Sequence, residues 1–124
     1  MTESLGRQLV DAIAARDNDA LAALMTSDVD FRGLTPGRFW DASRPDEVVD
    51  VVLGHWFSES DHIDELAALD EGDPVGDTER IGYRFAVTNG DGPHLVEQQV
   101  YYRVDAGRMS YVRVVCSGYR RRPV

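Results

Sequence analysis

The last third of the chain alternates between apolar and polar residues, and this pattern constrains the fold more than any other feature. Residues 78–88, 95–104 and 108–118 place apolar side chains at every second position. A period of two is typical of strands that bury one face. Asn89-Gly90-Asp91-Gly92 is a strong hairpin turn, and Asp105-Ala106-Gly107 fits a three-residue hairpin loop. The segment therefore predicts an antiparallel meander of three strands.

The lengths of these two loops predict which residues face each other. A four-residue loop at 89–92 places residue 88 opposite 93, and a three-residue loop at 105–107 places Tyr102 opposite Ser110. Both registers agree on one inner face, which we expect helices to cover, and they place Arg84 and Arg113 on the outer face. The inner face comprises Ile81, Tyr83, Phe85, Val96, Gln98, Val100, Tyr102, Ser110, Val112, Val114 and Cys116.

The first quarter of the chain predicts two helices. Residues 2–16 carry apolar side chains at helical spacing, with Thr2 and Ser4 as possible N-caps. A second, short helix is expected to begin at an Asn18 cap. The two together predict an α-hairpin with one apolar side.

A third helix is expected from about residue 43. Ser43 and Asp46 resemble a capping box, and Pro45 falls in the first turn, where its missing N–H is tolerated. His55 lies at the edge of the apolar face of this helix. That face is formed by Val48, Val49, Val52, Leu53, Trp56 and Phe57.

Two further segments complete the pattern. Residues 29–32 alternate as a short strand, and residues 33–37 predict a loop because they contain Gly33, Thr35-Pro36 and Gly37. Residues 62–70 fit a helix by composition and a strand by alternation. Local sequence leaves that segment open.

Length and composition exclude several classes of protein. The 124 residues, 43% of them hydrophobic, suit one compact domain that is neither disordered nor membrane-spanning. Cys116 is the single cysteine, and His55, His62 and His94 are not spaced as metal ligands. We therefore expect no disulfide, no metal and no cofactor. The first residues lack a basic segment and a cleavage site, so a cytoplasmic location is expected.

Charge is distributed unevenly along the chain. The net charge is −9, yet residues 80–124 carry 8 arginines and 3 acids, whereas residues 1–79 carry 5 arginines and 19 acids. A basic half can indicate nucleic-acid binding. We interpret these arginines as exposed positions on strands, because the overall acidity would repel phosphate.

Three segments resemble the SnoaL-like branch of the nuclear-transport-factor-two-like superfamily. These are Leu24–Phe31, the helix around Val48–Trp56, and residues 102–109, where Asp105-Ala106-Gly107 precedes a basic and an apolar residue. The resemblance covers essentially the whole chain. It implies an α+β fold in which a cone-shaped, curved antiparallel (mixed) β-sheet has three helices over its concave face and an internal pocket. It also implies a strand at 62–70 in one SnoaL-like domain over residues 1–124. The arginine run at 120–122 is expected to lie in a flexible tail at about 119–124.

The resemblance predicts the fold better than it predicts the mechanism. The family includes ketosteroid isomerases, polyketide cyclases and epoxide hydrolases. The isomerase base follows the first short strand, where Phe31-Arg32-Gly33-Leu34 offers no carboxylate, and the oxyanion donor corresponds to about Val100. An Asp–Arg–Asp triad of the epoxide-hydrolase type needs two inward carboxylates, and the predicted inner face has none.

Polar side chains on the inner face are the predicted ligand contacts. Tyr hydroxyls can hold a carbonyl oxygen, and Gln98 opposite Tyr83 forms a donor–acceptor pair. Trp56 is expected over the concave face near Tyr83 and Tyr102, where its ring would wall the pocket. The alternative is that these residues only fill the core. The predicted ligand-binding residues are Trp40, Trp56, Tyr83, Gln98, Tyr102 and Cys116.

Three residues are candidates for a catalytic base. His55 is one because histidine is the side chain whose charge changes near neutral pH, and Asp30 or Asp41 would be others if burial beside an aromatic ring raised the pKa of their carboxyls. The alternative for each is an exposed edge or turn residue.

Two hypotheses for function follow. The first is a small-molecule pocket protein, with a cofactor-free isomerase, cyclase or hydrolase activity on an apolar ring-containing substrate. The second is a non-catalytic binding or assembly module with a filled cone. In both, a homodimer is expected through the outer sheet face, whose residues include Tyr101, Arg103, Tyr111 and Arg113.

Overall fold

The computed structural model describes residues 3–122. The helical elements are α1 (Leu5–Ala15), α2 (Asn18–Ala23), α3 (Pro45–Val49) and a π-helix (Asp50–Trp56) that continues α3. The strands are β1 (Met25–Thr35), β2 (Arg38–Ala42), β3 (His62–Val75), β4 (Thr78–Asn89), β5 (Gly92–Asp105), β6 (Arg108–Cys116) and β7 (Arg120–Arg121).

The strands form one mixed sheet, which is the predicted α+β architecture. Their order is β2-β1-β6-β5-β4-β3, and β7 pairs with β5 beyond this path. β1 and β6 are parallel, whereas the other described pairs are antiparallel. The ambiguous segment at 62–70 lies in β3, so the strand implied by the resemblance is confirmed and the local helical composition is overridden by pairing with β4.

The helices cover one face of the sheet and form the core with it. Val10, Leu21 and Val48 are fully buried, as are Ile81, Phe85 and Val112 on the facing strands. Burial of such side chains supplies most of the stabilisation of a small domain. Arg84 is exposed and Arg113 pairs with the exposed Asp30, so both lie on the uncovered face as predicted.

The register between β5 and β6 differs from the prediction in two places. The turn has two residues, Ala106 and Gly107, both at positive φ, and Asp105 pairs with Arg108. A β-bulge follows, because Val104 pairs with Met109 and Arg103 with Tyr111. A single-residue shift would turn every side chain to the other face. The shorter turn and the bulge together shift the register by two, so Tyr102 faces Val112 rather than Ser110 and the other predicted inner residues keep their face. At the bulge itself Met109 is fully buried, whereas the predicted inner residue Ser110 is only half-buried.

The helix starts differ in detail from the prediction. The Ser4 hydroxyl caps α1 by accepting the Arg7 N–H at 3.0 Å, whereas Thr2 lies outside the described residues. The cap of α2 is Asp17 rather than Asn18.

The expected capping box of α3 is also replaced. Arg44 is the N-cap, and the Glu47 carboxylate accepts the Ser43 N–H at 3.0 Å. Pro45 occupies the first turn, as expected. The contact spans four residues instead of three because α3 begins after Arg44.

The loop expected at 33–37 is wrong. β1 extends to Thr35, a tight turn follows at Pro36-Gly37, and β2 pairs antiparallel with β1. Gly37 has a φ of +76°, which explains the glycine in the turn. Gly33 is a strand residue whose missing side chain leaves space for Trp56.

Residues 119–122, for which the sequence predicts a flexible tail, lie against the body of the domain. Arg120 and Arg121 pair with β5, and Arg122 contacts the Asp64 carboxylate at 2.9 Å. The Tyr119 hydroxyl donates to the Trp56 carbonyl at 2.6 Å. Residues 123 and 124 lie outside the described part of the chain.

Candidate functional site

A partly open cavity of about 190 Å³ lies between the end of the π-helix and the ends of β5 and β6. Its lining is mostly apolar, and no Asp or Glu of the described residues contributes to it. Two larger depressions elsewhere on the surface are lined mainly by exposed polar groups, and a third lies beside α1 and includes Tyr102. The cavity is lined by Thr35, His55, Trp56, Phe57, Val96, Gln98, Cys116, Gly118 and Tyr119.

The π-helix positions the aromatic wall of this cavity. A π-helix forms its backbone hydrogen bonds across five residues instead of four and often marks a functional site. Trp56, 7% exposed, packs its indole against the backbone of Gly33, where an added Cβ would lie 2.5 Å from the ring. The ring also lies 5.8 Å from Phe31 and meets Trp40 edge-on at 6.2 Å, measured between centroids.

Gln98 and Tyr83 form a buried polar pair beside the cavity. The Tyr83 hydroxyl donates to Gln98 Oε1 at 2.6 Å, and the two side chains are 3% and 1% exposed. Burial raises the pKa of Tyr83, so its hydroxyl stays protonated and acts as a donor. Gln98 Nε2 has no hydrogen-bond partner within residues 3–122.

The two tryptophans differ in their indole N–H groups. Trp40 Nε1 donates to the Thr35 hydroxyl at 2.8 Å, whereas Trp56 Nε1 is buried and no described residue accepts from it. A buried donor left unpaired costs about 1–3 kcal/mol, so most such groups have partners. The two unpaired N–H groups, Gln98 Nε2 and Trp56 Nε1, thus belong to residues that line the same cavity.

His55 lies at the solvent side of the cavity. Its Nδ1 is 3.0 Å from the Asp50 carbonyl oxygen, and its ring lies 5.3 Å from that of Trp40. A carbonyl only accepts, so the neutral imidazole carries its hydrogen on Nδ1 and keeps the lone pair of Nε2. His55 can therefore accept a proton at Nε2.

The segment after β6 forms the remaining wall. Tyr119 lines the cavity and is tied to the π-helix through its bond to the Trp56 carbonyl, and burial raises the pKa of this tyrosine. Cys116 also lines the cavity, with its Sγ accepting the Gly118 N–H at 3.4 Å. Tyr119 and Gly118 carry no sequence signal for this role, because the tail contains no pattern that predicts pairing.

The structure brings together some of the predicted site residues and separates others. Trp56, Gln98, Cys116 and His55 line the cavity, and Tyr83 supports Gln98. Trp40 packs against Trp56 and His55 without lining it.

Tyr102 lies at a different place from the one expected. Its hydroxyl accepts the Gly6 N–H at 3.1 Å beneath α1. Trp56 packs with Phe31 and Gly33, because the gap at Gly33 receives the indole.

Asp30 and Asp41 are exposed and do not line the cavity. Arg113 holds Asp30 in an ion pair at 3.0 Å, and this contact lowers the pKa of the Asp30 carboxyl. The expectation that burial raises the pKa of Asp30 is therefore wrong. The residue faces arginines of the uncovered side of the sheet.

No group of three or more His, Cys, Asp or Glu side chains within residues 3–122 is arranged to hold a metal ion. Over the same residues, no helix is long and apolar enough to cross a bilayer.

Known structures share this arrangement of helices and strands. No model of a protein family matches the sequence, and no curated protein does. A proposed isomerase from Bacillus subtilis is 11% identical with a TM-score of 0.76, over 91% of this chain and 84% of that one. A proposed SnoaL-like polyketide cyclase from Mesorhizobium loti is 14% identical with a TM-score of 0.66, over 89% and 94%. An LEH-like epoxide hydrolase from M. tuberculosis is 13% identical with a TM-score of 0.65, over 91% and 80%.

This chain has the SnoaL-like fold. Identities this low establish the architecture alone, because one fold hosts many chemistries. Within the SnoaL-like fold the cavity must therefore be interpreted from its own residues, and those residues include no carboxylate from the described part of the chain.

Proposed function

We propose that this protein binds a small, largely apolar, single-ring molecule in the cavity beside Trp56 and Gln98. The observation that supports the proposal is an apolar recess with a few polar side chains, which is the usual composition of ligand sites. Its volume of about 190 Å³ is below the roughly 300–1,000 Å³ of sites for drug-sized ligands. An apolar cavity of about 150 Å³ can hold benzene, so one ring fits and a fused polycycle does not.

Proton transfer is the chemistry that the lining favours. His55 offers Nε2 as an acceptor, and the absence of described carboxylates around the cavity argues against a carboxylate base. The likeness to a proposed isomerase and a proposed cyclase agrees with such a reaction. We accordingly propose His55 as the base of a cofactor-free isomerase or cyclase.

A filling substitution tests the site itself. Val96→Phe places a ring in the cavity from β5, and Val115→Phe adds the same ring on the exposed face of β6 as a control. Single-ring ligands such as toluene and acetophenone should stabilise the wild type and Val115→Phe against heat but not Val96→Phe. Equal stabilisation of all three proteins would overturn the proposal.

The second candidate function is that of a dimeric assembly module. Leu34 on β1 pairs with Phe39 on β2 and Val115 on β6, and all three side chains are more than half exposed. This apolar patch adjoins the aromatic and arginine side chains for which a homodimer is predicted, and such a mixture is common in interfaces. The patch supports an assembly role. The inner face of the sheet agrees with it, because core residues fill that face outside the cavity.

Light scattering distinguishes the assembly role. Leu34→Glu should convert a dimer to a monomer, whereas Val75→Glu, at a position that is 82% exposed, should not. A wild type that stays monomeric at tens of micromolar, where dimers with about micromolar affinity are populated, would count against this candidate.

A further inference from the structure

We infer that the ligand carries a hydrogen-bond acceptor, a carbonyl oxygen on the single ring, which receives N–H groups from Gln98 Nε2 and Trp56 Nε1. This inference rests on the proposed function, because it assigns the polar group of the molecule that the cavity would bind. The observation that carries it is the pair of buried donors without partners among residues 3–122, both on residues that line the same cavity.

Both groups demand the same chemistry from a ligand. The indole of Trp56 has only a donor, so its assignment does not depend on rotamer or tautomer. The amide of Gln98 could be turned by 180°, and the number of hydrogen bonds that each orientation satisfies decides between them. With Oε1 toward Tyr83, one amide group stays unpaired; with Nε2 toward Tyr83, both Oε1 and the tyrosine hydrogen would be unpaired. The first orientation leaves Nε2 as the free donor.

Tyr83 is a positioning residue for this site. Its hydroxyl holds Gln98 Oε1 at 2.6 Å, which fixes the direction of the amide and polarises it. An amide whose oxygen already accepts a hydrogen bond donates more strongly through its nitrogen. Tyr83 would thus act on the ligand through Gln98 without touching it.

The surroundings argue against ligands of other polarity. No described carboxylate lines the cavity, so an ammonium group would find no counter-charge there. The other buried polar contacts of the site are already made, since Trp40 donates to Thr35 and Tyr119 to the Trp56 carbonyl. The two free groups are donors, and a neutral acceptor satisfies them without burying charge.

A matched pair of probes tests the inference. Acetophenone carries a carbonyl oxygen, and ethylbenzene has nearly the same shape without it. We expect the wild type to bind acetophenone at least tenfold more tightly, because a good hydrogen bond to a buried donor is worth about that factor. Equal affinities for the two probes would overturn the inference.

The two indole N–H signals provide a test within the unmodified protein. In ¹⁵N-labelled protein, acetophenone should move the Trp56 indole proton and a Gln98 amide proton downfield. The Trp40 indole proton serves as the internal control because it already donates to Thr35. Ethylbenzene should cause no downfield shift of the Trp56 and Gln98 protons. Saturation with acetophenone without a downfield shift of the Trp56 proton would contradict the assignment.

A variant pair on one strand separates the donor from general packing. Gln98→Met removes the amide on the buried face, and Gln99→Met removes an amide on the opposite face, where Gln99 accepts from Arg80 at 3.0 Å. The affinity ratio of the two probes should fall towards one in Gln98→Met and stay unchanged in Gln99→Met. An unchanged ratio in a folded Gln98→Met protein would overturn the role of Gln98.

The outcomes separate this inference from the proposed function. If neither probe perturbs the signals of Val96 and Cys116, the cavity does not bind a single ring and both proposals fail. If both probes perturb those signals equally and the Trp56 proton does not respond, the cavity remains a binding site and only the acceptor assignment fails.

Discussion

The buried face of β5 has two parts that resemble each other in sequence and differ in what their polar groups contact. Under α1, the Tyr102 hydroxyl accepts the N–H of Gly6, and an added Cβ on that glycine would lie 3.0 Å from the oxygen. Four residues away, Gln98 accepts from Tyr83 but its own amide nitrogen has no partner in the described chain. The cavity lined by Trp56 lies beside Gln98, whereas Tyr102 packs under α1 at the edge of a separate surface depression.

The difference shows that the partner of an inward polar residue decides whether the residue stabilises the fold or is available to a ligand. The first turn of a helix has N–H groups without helical partners, and Gly6 in α1 uses Tyr102 to satisfy one of them. No helix terminus of the described chain contacts the Gln98 amide in this way. The same kind of position thus stabilises the fold under α1 and presents a donor beside the π-helix.

The largest expected effect is on the aromatic wall of the cavity. Trp56→Ala should lower the free energy of unfolding by about 3–5 kcal/mol, because it removes a buried ring. Gly33→Ala should cost about 1–3 kcal/mol in the wild type through overpacking of the indole. In the Trp56→Ala background that cost should largely vanish, which a double-mutant cycle by urea denaturation measures. Additive costs would show that the two residues are not coupled.

Tyr102→Phe should affect stability alone. Removal of the hydroxyl leaves the buried Gly6 N–H unpaired, at a cost of about 1–3 kcal/mol. The ratio of acetophenone to ethylbenzene affinity should be the same as in the wild type. A change in that ratio would break the distinction between the two parts of the face.

Tyr83→Phe should affect both stability and ligand preference. Loss of the hydroxyl leaves Gln98 Oε1 unpaired at a cost of about 1–3 kcal/mol and frees the amide to turn. We expect the affinity ratio of the two probes to fall several-fold and the Gln98 amide signals to lose their downfield shift. Equal stability loss in Tyr83→Phe and Tyr102→Phe with an unchanged ratio would reduce Tyr83 to a packing residue.

Tyr119→Phe should have a smaller effect. It removes one hydrogen bond to the Trp56 carbonyl and should cost about 0.5–1.5 kcal/mol. Hydrogen exchange should accelerate in β7 more than in α1, since the bond ties the C-terminal segment to the π-helix. Uniform acceleration across the chain would show that this segment does not open separately.

The smallest expected effect is the pH dependence of the Asp64 contact. The Thr88 hydroxyl, and then Arg122, hold the pKa of the Asp64 carboxyl below its ordinary value. A carboxyl whose pKa is lowered by folding stabilises the protein at pH values above its unfolded-state pKa, about 3.9. This stabilisation is lost as the pH falls below that value and through the lower pKa of the folded state. Asp64→Asn should therefore be less stable than the wild type at pH 7, with the difference shrinking below about pH 4. Urea midpoints at several pH values would measure it, and a constant difference would contradict the contact.

The sequence predicts which side chains face the core, because an error of two residues in register leaves each side chain on the same face of the sheet. Tyr83, Gln98 and Val112 are inward as predicted even though the turn at Ala106-Gly107 is shorter, since the bulge restores the parity. Neither the bulge nor the strand at Gly33 has a local signal. Both depend on contacts between distant segments.

The candidate site is predictable only in part for the same reason. Gln98, Trp56 and Cys116 follow from the inner faces of a strand and a helix. The pairing of Tyr119 with the π-helix follows from no periodicity, and the ion pair of Asp30 with Arg113 joins residues 83 positions apart in the chain.

The parallel pairing of β1 with β6 has a consequence for how the chain is made. β1 and β2 form a hairpin early in synthesis, but the inner edge of β1 is paired only by β6, near the end of the chain. Contacts between such distant segments slow folding, and an unpaired strand edge is prone to aggregation. The early hairpin and the later meander can therefore pair only after β6 has been synthesised. The last long strand joins them, and the cavity residues on β6 and beyond are assembled in that same final step.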